Sequence, residues 1–165
     1  MNKLIHAWLS IAIPALLIAF LPATALAADA AADHVFMNPG DIKWADAPPS
    51  LPKGAKIAVL YGDPSKNGPF CLRLMTPAGY KISAHWHSQA EALTVISGTF
   101  YLGNGDKLQI AGAQALKVGG FHHLPAKAHH YAFSKVAAIV QVNGEGPFDI
   151  TYIDPEADPR TSAKK

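Results

Sequence analysis

The chain is poor in cysteine. Its 165 residues hold one, Cys71, so no internal disulfide can staple it. Cys71 stands in an alternating run and reads as a small, buried, apolar strand residue. Charge is scarce too: Asp, Glu, Lys and Arg make up 16% of the residues, and the formal net charge is +2. Apart from the two C-terminal lysines there is no Lys/Arg run, which removes the electrostatic footprint of a nucleic-acid binder. Outside the N-terminal region, no stretch keeps a helical period.

That N-terminal region has the layout of an export signal. Lys3 supplies the positive end, residues 4–21 form an apolar core interrupted by Pro14, and Ala25-Leu26-Ala27 is a small-residue cleavage site. A spanning helix would need about 20 unbroken apolar residues. The absence of cysteine at the processing point argues against a lipid anchor. The expectation is cleavage after Ala27 and a periplasmic or secreted product of 138 residues (165 minus 27), with no stable membrane anchor. That is one ordinary domain.

The rest reads as short strands divided by Gly, Pro and Asn. Residues 28–55 form a leader and an extended connection, with one strand expected within 35–44 around the Pro39-Gly40 turn. The proline-rich 47–54 segment is unsuited to helix or central strand. Between 56 and 153, strands are expected at 57–61, 70–76, 80–87, 90–97, 99–102, 107–110, 114–118, 121–124, 129–133, 137–142 and 148–152. Within 70–76, Phe70, Leu72, Leu74 and Thr76 share one face, and Cys71, Arg73 and Met75 the other. Asn104-Gly105 suits a tight hairpin turn. Turn signals at such regular intervals predict an all-β sandwich or barrel. Residues 154–165, polar and proline-marked, form a surface arm.

The chemistry concentrates in 79–98. His85 and His87 are two apart, so on a strand they point the same way. Glu91 follows after enough chain to turn and bring a carboxylate back. Two imidazoles and a carboxylate suit a divalent transition metal. A further ligand is available in the later Gly119…Pro125…His130 stretch.

These stretches resemble the two motifs of the cupin superfamily. Gly79, His85, His87, Glu91 and Gly98 match the first without a gap. Gly119, Pro125 and His130 match the second, whereas Lys127 stands where that motif has glycine and Ser134 where it has asparagine. The resemblance spans about 56–152 and includes small single-domain bacterial cupins of mostly unassigned function. It implies a double-stranded antiparallel β-barrel of jelly-roll type, often paired as a homodimer. It also implies one metal (Fe, Mn, Ni, Zn or Cu) held by His85, His87, Glu91 and His130. The motif spacing selects His130 over its neighbour His129, although a one-residue register shift would exchange them.

Further candidates surround this set. His122, His123 and His129 are possible cavity or supporting residues, with surface or core packing the alternative for the His122/His123 pair. Phe100, Tyr101, Tyr131, Phe133 and Phe148 read as core or cavity wall, and Phe133, close to His130 in sequence though at an odd separation, is the candidate among them to line the pocket. Arg73 and Lys127 are the nearest cations available to an acidic substrate, although Arg73 reads equally well as outward-facing. Three imidazoles and one carboxylate leave open positions for a small organic ligand. The resulting reading is a metal-dependent dioxygenase or isomerase; the alternative is a non-catalytic small-molecule or metal-binding barrel.

Overall fold

A computed structural model describes residues 34–162. The expected export signal, its expected cleavage site and the last three residues lie outside that range. Eleven strands fall in chain order: β1 Ala45–Asp46, β2 Lys56–Tyr61, β3 Gly68–Thr76, β4 Lys81–Trp86, β5 Glu91–Ser97, β6 Thr99–Asn104, β7 Gln114–Lys117, β8 Phe121–Leu124, β9 His130–Phe133, β10 Ala138–Gly146 and β11 Thr151–Tyr152. They build a six-stranded sheet, β1-β2-β3-β10-β5-β8, and a five-stranded sheet, β11-β4-β9-β6-β7. All pairings are antiparallel. This is the expected jelly-roll class, built as two sheets that no strand pairing joins among the described residues. No helix among those residues is long and apolar enough to cross a membrane.

The period-2 pattern decides which faces are buried. Phe70, Leu72, Leu74 and Thr76 of β3 all point inward, with exposures of 1 to 7%. They pack with Leu93 and Val95 of β5, Val140 and Val142 of β10, and Ile82, Phe100, Leu102 and Ala132 of the second sheet. Cys71 takes the opposite face of β3 and is half-buried, not enclosed as expected. It aligns there with Asn143 of β10.

Two expected strands are absent. Residues 35–44 hold a 3-10 turn at Pro39–Asp41, and Asp41 closes it by accepting a hydrogen bond from the Asn38 amide at 2.9 Å. Val35, Phe36 and Met37 are exposed. Residues 107–110 form part of a long loop between β6 and β7, replacing the tight turn read at Asn104-Gly105. Tertiary packing explains the difference. The outer face of the second sheet carries Tyr131 and Phe133, and Leu108 and Ala113 of the loop cover them. The Tyr131 hydroxyl donates to the Gln109 carbonyl at 2.9 Å, a bond to main chain that leaves the loop paired with a side chain.

The motif glycines sit where backbone geometry needs them. Gly79, Gly98 and Gly119 adopt positive φ of 77°, 73° and 81°. At Gly98 a Cβ would also stand 2.3 Å from the Ala137 carbonyl oxygen. Lys127 has φ 63° although it carries a side chain. The turn has therefore kept the left-handed conformation that the missing glycine would supply, and Lys127 donates its amide to the His87 carbonyl at 2.8 Å.

Candidate metal centre

His85 and His130 stand opposite each other in register on β4 and β9. Directly paired residues share a face, so both rings project inward side by side, with centroids 4.1 Å apart. His87 follows β4, two positions after His85, and its ring lies 5.0 Å from His85 and 5.1 Å from His130. One ring nitrogen from each histidine lies within 4.8 Å of the others, and all three side chains are buried. Glu91 opens β5 in the other sheet. Its two carboxylate oxygens lie 3.6 Å from His87 Nε2 and 3.8 Å from His130 Nε2.

The hydrogen bonds orient the rings. His85 Nδ1 faces the Ser83 carbonyl at 2.7 Å, His130 Nδ1 faces the Ala128 carbonyl at 3.0 Å, and His87 Nδ1 faces the Asp149 carbonyl. A carbonyl only accepts, so each Nδ1 carries the proton and each Nε2 presents its lone pair. Three such lone pairs beside a buried carboxylate form a donor set that fits a divalent transition metal. Burial holds the imidazoles neutral: it lowers the pKa of His85 and His87 and brings His130 down to about 4. Burial raises Glu91 to about 7. All four groups are thus pushed toward their uncharged forms, so the Glu91–His contacts are not ion pairs in the metal-free protein. Neutral imidazole is the form that ligates.

The site opens into a cavity of about 160 Å³. Leu72, Leu93, Phe100, Val140 and Phe148 are among its apolar walls, and among the described residues no Lys or Arg lines it. Pro48, Ser50 and Leu51 of the proline-rich segment complete the lining from outside the strands. The 28–55 stretch thereby contributes both a sheet strand, β1, and part of the cavity wall.

The remaining candidates fall elsewhere. His129 is exposed and bonded to Asp106 at 2.7 Å, whereas His130 is buried beside His85. His123 aligns with Ala92 and is exposed. His122 aligns with the inward Leu93 and is half-buried with Nδ1 unpartnered, but it does not line the cavity. Phe133 faces away from the cavity because it is three residues from His130 on the same strand, and it stacks on Tyr101 at 4.7 Å. Arg73 lies on the outer face of β3 and donates Nε–H to Gln141 Oε1 at 3.2 Å. Lys127 is exposed on its turn. An acidic substrate would find no cation among these side chains.

Residues 23–151 match the family described as "Domain of unknown function (DUF4437)". The chain belongs to this family, which is a cupin-type domain. Nothing among curated proteins matches it. Solved structures share the fold of this cupin. A candidate acetylacetone dioxygenase from Methylibium petroleiphilum is 20% identical with a TM-score of 0.59, over 77% of this chain and 85% of the other. The polyketide cyclase RemF from Streptomyces resistomycificus is 13% identical with a TM-score of 0.65, over 81% and 94%. An RmlC-like cupin from Shewanella frigidimarina is 15% identical with a TM-score of 0.53, over 68% and 91%.

Sequence reasoning about this cupin missed the Asp149 carbonyl and the lining role of 48–51. No spacing rule points to a main-chain acceptor 62 residues from the histidine it serves.

Proposed function

We propose that this cupin is a metal-dependent enzyme acting on a small organic molecule by dioxygenation or isomerisation, with His85, His87, Glu91 and His130 as ligands. The observation that carries this reading is the convergence of three Nε2 lone pairs and one buried carboxylate on an apolar cavity. When bound, a metal would supply Lewis acidity and, for a redox-active ion, an electron route. The protein supplies the rest. Its carbonyl-held imidazoles keep their lone pairs directed inward, and the apolar walls exclude water. One carboxylate against a divalent ion leaves a net charge of +1, which suits a substrate that coordinates through one anionic oxygen and is otherwise apolar. If Glu91 detached, its free carboxylate oxygens would be the site's candidate base.

The absence of cations and dedicated nucleophiles from the cavity lining also favours a second reading, a non-catalytic binding barrel. Fe(II)-loaded protein assayed for oxygen uptake against catechols, flavonols and keto acids separates the two. The enzyme reading expects either oxygen uptake (dioxygenation) or conversion to an isomeric product without uptake (isomerisation) with at least one substrate, lost in His130→Ala. Saturable ligand binding without turnover supports the container. The leader reading belongs to the same proposal: an exported protein whose mature N-terminus, read by N-terminal sequencing, is Ala28. A product beginning at Met1 would contradict it.

A further inference from the structure

The three histidines are not held alike. His85 and His130 each bond a carbonyl two residues back on their own chain, Ser83 and Ala128. Those bonds are local, each closed within three residues of chain. His87 instead bonds the Asp149 carbonyl, 62 residues away. Asp149 belongs to the 148–150 segment, every residue of which lines the cavity.

That segment grips His87 from three directions. The Phe148 ring stacks on the His87 imidazole, centroids 4.4 Å apart and planes inclined by 20°. The Asp149 carbonyl accepts a hydrogen bond from His87 Nδ1–H. The Asp149 carboxylate accepts from both the amide and the hydroxyl of Ser88, at 2.7 and 2.8 Å, fastening the segment to the residue after His87. Outside these contacts it is held at its ends. The Phe148 amide donates to the Pro64 carbonyl at 2.7 Å, and Arg160 of the C-terminal arm donates to the Ile150 carbonyl at 3.1 Å. Asp149 itself is exposed, so its carboxylate anchors the cavity lip from the solvent side.

We infer that the Phe148–Asp149–Ile150 lip is a clamp on His87, so that moving the lip and loosening one metal ligand are a single event. Asp149 is then a positioning residue: it touches no reacting atom but fixes the ring that does. This rests on the proposed metal site and adds to it a specific coupling between cavity access and metal retention.

The test follows Co(II)-loaded full-length protein, stripped by excess EDTA and read by the visible d–d absorption. Asp149→Ala should release the ion about tenfold faster or more, in line with what supporting partners of metal-bound histidines contribute. Asp149→Asn, which keeps an acceptor for Ser88, should stay within about twofold of wild type on the same scale. Asp106→Ala, which removes the partner of exposed His129, should leave the rate unchanged. Amide exchange at 148–150 should slow on loading with diamagnetic Zn(II). Metal-free Asp149→Ala should melt close to wild type, separating the clamp from a general loss of fold. Equal release from Asp149→Ala and wild type overturns the clamp while leaving the metal site standing. Release from Asp149→Asn as fast as from Asp149→Ala also overturns it, because lost charge would then account for the effect. Failure of wild type to take up Co(II) overturns both the clamp and the metal reading.

Discussion

At the residue scale, Glu91 carries an electrostatic cost of burial. It is 6% exposed, and desolvation raises its carboxyl to about 7. Its folded state therefore binds a proton that the unfolded chain has already lost, and its contribution to stability disappears as pH rises from about 4.5 to 7. The histidines run the other way. Their lowered values mean that stability is lost as pH falls below about 6.5, where the unfolded imidazoles take up protons first. In the metal-free protein the two trends oppose each other. Glu91→Gln removes one of them, so its unfolding free energy in EDTA should gain on wild type by up to about 3 kcal/mol between pH 5 and pH 8. Urea unfolding at the two pH values measures this. Parallel profiles for the two proteins would show that Glu91 ionises freely in the fold.

The same residues show what could be read from sequence. The His-x-His pair and Glu91 were legible because a strand has period 2 and the offsets are fixed. His130 was separable from His129 only through the motif spacing, and its in-register alignment with His85 agrees with that choice. Lys127 looked like a break in the pattern, yet its positive φ keeps the turn. Phe133 was misplaced because closeness in sequence was allowed to outweigh strand parity.

At the element scale, strands with clean alternation were legible, β3 above all. The 107–110 run was not, because its shape answers to Tyr131 and Phe133 across the sheet, which no local pattern reveals. The proline-rich 47–54 segment is the clearest gain from the structure. Two tyrosines hold it against the barrel: Tyr80 donates to the Pro52 carbonyl at 2.6 Å and Tyr152 to the Ser50 carbonyl at 2.8 Å. Both hydroxyls belong to largely buried side chains, and each such bond contributes roughly 1 kcal/mol. A Tyr80→Phe/Tyr152→Phe double variant should lose about 2 kcal/mol of stability. It should also be cut by trypsin at the exposed Lys53 faster than wild type under native conditions. An unchanged cutting rate would mean that the packing of Leu51 into the cavity, and not the hydroxyls, fixes the strap.

At the scale of the whole molecule, two sheets bring together candidate ligands that are far apart in sequence. β4 and β9 supply His85 and His130 from one sheet, the turn after β4 supplies His87, and β5 supplies Glu91 from the other. The fold class was legible because regular turn signals and two motifs pointed the same way. The cavity was less so, since its walls come from both sheets, from 48–51 and from the 148–150 lip. The arrangement supports one central proposal: that the protein holds one metal ion at His85, His87, Glu91 and His130. Elemental analysis of untagged protein isolated from its native compartment, beside His130→Ala and His129→Ala, tests this most directly. One equivalent of a single transition metal in wild type and in His129→Ala, and none in His130→Ala, is the predicted result. Wild type without metal, or His130→Ala retaining a full equivalent, would contradict it.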